Sequence, residues 1–236
     1  MPGRRGRAER RLEAALDALG AGLRSLRVPW MVIGGIAVIA RGVRRFTADI
    51  DVVVRGDAVT ADRVIAALAK QGIEPRIADA AAFADRNLVL LARHEPTGID
   101  IDLSFGWTEF EHGALEERET VAIGAVRAPV ARPEHLVVLK SLAGRPKDLE
   151  DAAALLVLHE RIDLDAVRRQ VTALAELAEE PELVEHLEAI VRAASPQRPD
   201  GSKPRAATRP GAKAKTRSNA DAPGSAGRRK VTKRRT

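Results

Sequence analysis

Cysteine is absent from this 236-residue sequence, and only six residues are Phe or Trp. Without cysteine the chain has no disulfide bonds and no thiolate zinc sites, which fits a reducing compartment such as the cytoplasm. The low aromatic content leaves little surface on which the bases of single-stranded nucleic acid could stack. The five histidines have no HxxxH or similar ligand spacing, so we expect surface or capping positions for all of them.

Long apolar runs are also missing. No stretch approaches the roughly 20 apolar residues that cross a bilayer. The arginine-rich N-terminus passes into an amphipathic helix rather than into the apolar segment of a signal peptide. The sequence therefore predicts a soluble, cytoplasmic protein with no membrane association.

Charge is distributed unevenly along the chain. Residues 192–236 contain 14 of the 39 Lys and Arg residues but only two of the 33 Asp and Glu residues. This segment thus has a net charge of +12, whereas residues 1–191 have a net charge of −6. Flexible cations of this kind could recruit an RNA through its phosphates, or could simply keep the protein soluble. Both interpretations stay open at this point.

Composition and apolar spacing divide the chain into four segments. We expect an α+β fold in which a small mixed β-sheet is flanked by helices. A helical segment and a tail without large apolar residues follow, and the tail should be disordered because it has little surface to bury. The predicted segments are an N-terminal helix (1–28), a sheet-containing core (29–130), a helical segment (131–194) and the basic tail (195–236).

Short apolar runs predict the strands of the core. A strand is expected at 30–33, another at 49–55, and a hairpin from 87–93 and 98–105, since HEPTG between them contains the Pro and Gly of a turn. Residues 121–130 are predicted to be extended.

Two aspartates at the start of the second strand are the first candidate site. Side chains two residues apart in a strand point to the same face, so Asp49 and Asp51 should lie side by side. Adjacent carboxylates repel each other, and a divalent cation such as Mg²⁺ relieves that repulsion. Gly34 and Gly35 precede this pair and could allow the backbone to approach an anionic group closely.

A third carboxylate can be sought on the later strand GIDIDLS. Asp100 and Asp102 are again two residues apart, and three carboxylates are what two-metal nucleotidyl transfer uses. Taken alone, each Asp-x-Asp pair could be a strand edge whose acids face water. The glycine pair, the acid pair and a later acid on another strand together favour a metal-dependent nucleotide site.

These residues also match a family pattern. The run Gly34-Gly35 … Arg45-Phe46-Thr47-Ala48-Asp49-Ile50-Asp51 resembles the GG … R-x-T-x-D-h-D signature of nucleotidyltransferases of the DNA polymerase β superfamily. It is especially similar to the minimal bacterial branch that includes the AbiEii-like toxins. The likeness continues through Lys140 to the segment AGRPKDLED at 143–151, and it covers residues 29 to about 158.

The resemblance implies a role for each matching residue. It implies that Gly34 and Gly35 face the NTP phosphates and that Asp49 and Asp51 bind metal. Asp102 matches the third acid best, with Asp100 as the competing assignment and a further candidate metal ligand.

Five basic or polar residues are further candidates. The resemblance implies that Arg45 and Thr47 orient the loop or contact substrate. Lys140 lies within an apolar helix, which favours a phosphate-binding role over a solvated helix end. For Arg145 and Lys147, phosphate binding and pairing with nearby acids are equally supported.

The sequence thus predicts a nucleotidyltransferase with two Mg²⁺ ions that transfers NMP from an NTP such as ATP to a hydroxyl. RNA, a protein or a small molecule could supply that hydroxyl. A toxin role with an antitoxin partner is one option that the resemblance implies. The alternative is a non-catalytic nucleotide- or nucleic-acid-binding module that uses the basic tail.

Overall fold

The computed structural model describes residues 4–195. Within them the strands are β1 (Trp30–Val32), β2 (Asp49–Arg55), β3 (Ile73–Pro75), β4 (Val89–His94), β5 (Ile99–Gly106), β6 (Glu119–Ile123) and β7 (Val126–Val130). The helices are α1 (Arg4–Leu26), α2 (Gly34–Ala40), α3 (Ala61–Ala69), α4 (Ala80–Asn87), α5 (Glu109–Glu116), α6 (Pro133–Ala143), α7 (Pro146–Leu158), α8 (Leu164–Ala178) and α9 (Glu182–Ala194). The predicted disordered tail lies outside the described residues.

The strands form one mixed sheet in the order β3-β4-β5-β2-β1-β7-β6. The pairs β2–β5 and β1–β7 are parallel, and the other neighbouring strands are antiparallel. Strands β2 and β5 are therefore neighbours that run in the same direction near the middle of the sheet. The architecture confirms the predicted α+β fold with a mixed sheet and flanking helices.

Strand β2 shows how the sequence positions the site within this sheet. Ile50 and Val52 to Val54 are buried, so helices cover both faces of the strand over most of its length. Asp49 and Asp51 occupy its first positions, where cover is incomplete, and they are exposed and half-buried, respectively. The carboxylates therefore lie at the open end of an otherwise apolar strand.

Two parts of the core differ from the prediction. Residues 121–130 were expected to be extended but form a hairpin of β6 and β7, because Gly124 turns the chain with φ +58. Strand β3 and helix α4 were not predicted. Strand β3 has only three residues and α4 only eight, which is too short for a clear periodic signal.

The C-terminal helices pack mainly against one another. Helix α7 contacts α6 and α9, helix α8 contacts α6 and α9, and α6 also packs on α2. Proline occupies the first turn of both α6 and α7, and Gly144 ends α6 with φ +63. This arrangement brings α6 and the start of α7 next to the open end of β2.

The histidine prediction was wrong for two of the five residues. His94 and His135 are buried rather than at the surface, and burial lowers the pKa of both imidazoles. His94 lies at the end of β4 and its Nδ1 is 2.8 Å from Thr97 Oγ1, while His135 packs edge-on against Phe110.

Among residues 4–195, no helix is both long and apolar enough to cross a membrane.

Candidate active site

The parallel pairing of β2 and β5 brings the predicted acids together. Asp51 is directly opposite Asp102 in this register, and Asp49 is opposite Asp100. Because adjacent strands are about 4.8 Å apart, all four carboxylates form a cluster on one face of the sheet. The spacing of two residues on each strand thus becomes a two-by-two array of carboxylates.

The two aspartates of β5 have different surroundings. Asp102 lines a cavity of about 360 Å³ together with Asp49 and Asp51, whereas Asp100 does not line it. Asp100 accepts a hydrogen bond of 2.7 Å from Arg93 Nε, and its pKa is lowered by that bond and by the charge of Arg76. The ion pair holds Asp100 outside the cavity.

Arg76 is a residue of this cluster that sequence reasoning missed. Its guanidinium bridges the two β5 acids, with Nη2 bound to Asp102 and Nη1 3.3 Å from Asp100. Arg76 directly follows the short strand β3, a region for which the sequence showed no pattern. Only the pairing of β3 and β4 at the sheet edge brings it near β5.

The two glycines are required by contacts inside the protein. A Cβ on Gly34, which has φ +61, would lie 1.9 Å from Asp51 Oδ2. A Cβ on Gly35 would lie 2.6 Å from Thr47 Oγ1 and 3.0 Å from Arg45 Nη2. The glycine pair therefore lets the loop before β2 and its first acids pack directly on the backbone at the start of α2.

Thr47 and Arg45 both fix the loop that precedes β2. The Thr47 hydroxyl donates a hydrogen bond of 2.5 Å to Asp49 Oδ1, which orients this exposed carboxylate. Arg45 forms an ion pair with Asp151 of α7, and both side chains are almost fully buried. Thr47 is therefore linked to the first acid of β2, and Arg45 is linked to the C-terminal helices.

A buried ionic network connects α6, α7 and this loop. Lys140 Nζ donates a hydrogen bond of 2.5 Å to Asp148 Oδ1 and lies 3.2 Å from Asp151 Oδ2. Asp151 in turn pairs with Arg45. Asp148 and Asp151 are one helical turn apart, so both carboxylates lie on the same side of α7. That spacing was visible in the sequence, but the pairing of Asp151 with Arg45 was not.

The cations that line the cavity differ in whether they have a partner. Lys140 is buried and shares two carboxylates, and Arg145 Nε donates to Asp148 Oδ2 at 2.5 Å. Lys147 lines the cavity and is exposed, and among residues 4–195 it has neither an ion pair nor a side-chain hydrogen bond. Its charge is therefore available to a ligand.

Electrostatics within the cavity raise the pKa of two acids. Burial raises the pKa of Asp51, and the carboxylates of Asp49 and Asp102 raise it further because like charges repel. The backbone N–H of Gly35 and the charge of Lys140 act in the opposite direction.

The pKa of Asp102 is raised in the same way. Burial is the main cause, and the charges of Asp49 and Asp100 add to it, while Arg76 acts against the rise. Both acids are thus destabilised as anions until a cation balances their charge.

The donor chemistry fits magnesium, although the side chains do not already form a closed set of ligands. Asp49, Asp51 and Asp102 supply the oxygen ligands that Mg²⁺ prefers, and their mutual repulsion favours a cation. In the described part of the chain, no three His, Cys, Asp or Glu side chains are arranged as ligands around one point.

Comparison with known proteins gives the family. Residues 11–190 match a family described as "Nucleotidyltransferase of unknown function (DUF6036)". The match spans most of the chain, and the protein belongs to this nucleotidyltransferase family. The predicted reaction class is thereby confirmed in general terms, whereas the AbiEii-like branch stays a prediction. No curated protein matches the chain.

Solved structures with similar folds have low sequence identity. The solution structure of the antibiotic-resistance factor ANT(2'')-Ia is 17% identical, with a TM-score of 0.46, over 76% of this chain and 90% of the other. A nucleotidyltransferase-like protein from Paracoccidioides brasiliensis is 18% identical, with a TM-score of 0.44, over 75% and 93% of the two chains. Because both TM-scores are below 0.5, the assignment rests on the family match.

Proposed function

We propose that this protein transfers NMP from an NTP to a hydroxyl group with the help of Mg²⁺. One observation carries the proposal: Asp49, Asp51 and Asp102 reach one cavity from two paired strands in a chain of a nucleotidyltransferase family. Three clustered carboxylates, of which Asp51 and Asp102 have a raised pKa, suit a site that is completed by cations.

In this proposal the three acids hold the magnesium, and two ions are expected. Bound magnesium would supply charge neutralisation for the triphosphate during transfer. Thr47 keeps the Asp49 carboxylate in place through its 2.5 Å hydrogen bond. Gly34 lets Asp51 lie against the backbone, because any larger residue would occupy the position of Asp51 Oδ2.

The reaction forms one bond and breaks one. The acceptor oxygen attacks the α-phosphorus, a new P–O bond forms, and the bond to the oxygen that bridges the α- and β-phosphates breaks. Pyrophosphate leaves with the electron pair of that bond, and the acceptor proton passes to Asp102. Asp102 lines the cavity beside Asp49 and Asp51, so its carboxylate is placed to accept that proton.

The cavity also contains candidates for binding the triphosphate. Lys147 is exposed there and has no carboxylate partner among residues 4–195, so its ammonium can pair with phosphate oxygens. Lys140 adds positive charge to the same cavity, although its ammonium is already shared with the carboxylates of Asp148 and Asp151. The predicted approach of the phosphates to Gly34 and Gly35 is part of the same proposal.

The acceptor, the preferred NTP, a toxin role and an antitoxin partner stay predictions from the sequence. RNA, a protein and a small molecule each stay candidates for the hydroxyl acceptor. The predicted recruitment of RNA by the basic tail concerns residues outside the described part of the chain.

Labelling with each α-³²P-labelled NTP and Mg²⁺ tests the proposal. Total RNA, total protein and a small-molecule extract serve as acceptors in parallel. We expect label in one acceptor fraction with the wild type, and none with Asp49→Ala/Asp51→Ala.

The matched control is Asp62→Ala/Asp85→Ala, which removes two exposed acids that do not line the cavity. Equal labelling by Asp49→Ala/Asp51→Ala and wild type would overturn the proposal. Binding of NTP without label in any fraction would instead support the non-catalytic alternative.

A further inference from the structure

A second recess contains an unusual concentration of arginine. It has a volume of about 570 Å³ and is lined by residues at the end of α1, after α5 and in the β6–β7 hairpin. None of its lining residues lines the cavity with the acids. Its four arginines are Arg24, Arg27, Arg118 and Arg127.

These guanidinium groups are not neutralised by the protein. In the part of the chain that the structure describes, none of the four forms an ion pair. Glu116 is the one acid in the lining, and it lies 3.6 Å from Arg55 outside the recess. The recess therefore has a clear excess of positive charge within a segment, residues 1–191, whose net charge is negative.

The protein orders two of the four side chains in advance. Arg118 donates to the carbonyl oxygen of Leu115, and Arg127 Nη2 donates to the carbonyl oxygen of Thr120 at 3.4 Å. A guanidinium has five N–H donors, so each retains donors for a ligand. Ordering before binding reduces the entropy that binding has to overcome.

The shape and lining favour a chain of phosphates as ligand. The four arginines come from three separate parts of the chain around a recess larger than the acidic cavity, so they can contact more than one phosphate at a time. A protein partner would need an apolar centre. The aromatic residue of the lining, Trp30, is only 5% exposed, and Val28 is half-buried.

We propose that this recess binds backbone phosphates of a nucleic-acid strand, at a site separate from the acidic cavity. Arginine suits this role because its planar fork of donors matches phosphate oxygens. The contacts are to the backbone, so the site should bind RNA and DNA of any sequence. This proposal does not depend on nucleotidyl transfer and can hold or fail independently of it.

The test measures binding of a fluorescent 20-nucleotide RNA, and of the same sequence as single-stranded DNA, by anisotropy at several salt concentrations. The full chain is used throughout, so the basic tail contributes equally to every variant. For Arg24→Glu/Arg27→Glu we expect affinity at low salt to fall more than tenfold for both strands. The slope of log K against log salt should decrease by about 1.4, since each lost phosphate contact removes about 0.7 for a single strand.

The matched control is Arg63→Glu/Lys70→Glu, which makes the same change in net charge at exposed positions of α3 and just after it. We expect the control to keep the wild-type salt slope. An equal loss in the control, or no loss in Arg24→Glu/Arg27→Glu, would overturn the proposal. The proposal would also be overturned if Arg24→Glu/Arg27→Glu lost binding of tripolyphosphate or poly-glutamate but still bound both nucleic acids as the wild type does.

A second measurement needs no substitution. Phenylglyoxal modifies accessible arginines, and mass spectrometry locates the modified residues. Bound RNA should protect Arg24, Arg27 and Arg127 but leave Arg63 reactive. Unchanged modification at all four positions in saturating RNA would contradict the proposal, even if Arg24→Glu/Arg27→Glu did not fold.

Discussion

At the scale of the residue, the partners of Asp100 and Asp102 give these neighbouring acids different roles. Asp102 lines the cavity and has a raised pKa, whereas Asp100 is paired with Arg93 at the sheet edge and has a lowered pKa. A lowered pKa means that Asp100 is a weak base whose charge is already balanced. Of these two acids, Asp102 alone lines the cavity, which supports its proposed role in accepting the proton.

Substitution of each aspartate should therefore have a different result. Asp102→Asn is expected to lower kcat by at least about 100-fold, because proton transfer by a positioned side chain contributes about 10²–10⁴-fold. Asp100→Asn, the matched control on the same strand, should stay within about threefold of wild type because a partly exposed ion pair contributes little. Steady-state pyrophosphate release measures both. Similar losses in the two variants would show that Asp102 has no special role.

Gly34 is the second residue at which we expect a substitution to lower kcat strongly. Gly34→Ala places a Cβ where Asp51 Oδ2 lies and strains a backbone with φ +61, so Asp51 has to move. A displacement of about 1 Å at a reacting group can cost about 100-fold in rate, and we expect a loss of that size in kcat. Gly113→Ala is the control, because a Cβ there meets no atom within 4 Å. Wild-type kcat in Gly34→Ala would contradict this role.

Lys147 is expected to act on NTP binding. Lys147→Ala should raise the Kd of a non-hydrolysable NTP about tenfold, since a hydrogen bond to a charged group contributes about 1.5–3 kcal/mol. Lys70→Ala removes a lysine that is exposed but does not line the cavity, and it should leave Kd unchanged. Isothermal titration with Mg²⁺ present measures both values. A Kd that is equal in Lys147→Ala and wild type would remove Lys147 from the phosphate site.

At the scale of the element, the buried ionic network attaches α7 to the loop before β2. Arg45 and Asp151 are 106 positions apart in the sequence, yet they form an ion pair whose side chains are 12% and 7% exposed. Lys140 of α6 shares Asp151, so three elements meet at one carboxylate. The helical segment thus determines the position of the loop that orders Asp49 and Asp51.

Asp151→Asn should consequently destabilise the fold. Removing one partner of a buried ion pair leaves an uncompensated charge and costs about 3–5 kcal/mol in the free energy of unfolding. Asp165→Asn is the control, because its pair with Arg168 is 3.5 Å long and its own side chain is 80% exposed, so a loss below about 1 kcal/mol is expected. Urea denaturation followed by circular dichroism gives both values. If both variants unfold at the same urea concentration, the network does not hold the elements together.

At the scale of the whole molecule, the sequence did not predict the contacts between residues that lie far apart along the chain. The bounds of β2 were predicted correctly because the apolar residues Ile50 and Val52 to Val54 follow directly after Asp49. The choice between Asp100 and Asp102, by contrast, depends on Arg76 and Arg93, which reach β5 only because β3 pairs with β4 and β4 pairs with β5. Local patterns predicted the strands, and tertiary pairing decided which of their side chains reach the cavity.

The arginine recess shows the same limit for charge. Its four arginines are spread from position 24 to position 127 and show no cluster in the sequence, whose visible excess of basic residues lies in 192–236. The end of α1, the end of α5 and the β6–β7 hairpin bring them together only in the folded chain. A net charge counted along the sequence therefore misses a local excess of this kind.

The most direct test of the central claim compares two positions of the label in the same NTP. Once the acceptor fraction is known, wild-type protein is given α-³²P-NTP or γ-³²P-NTP with Mg²⁺. Nucleotidyl transfer predicts that the α-label enters the acceptor while the γ-label is released as pyrophosphate, in equal amounts. Transfer of the γ-label to the acceptor, or release of γ-labelled phosphate without transfer of the α-label, would contradict the account.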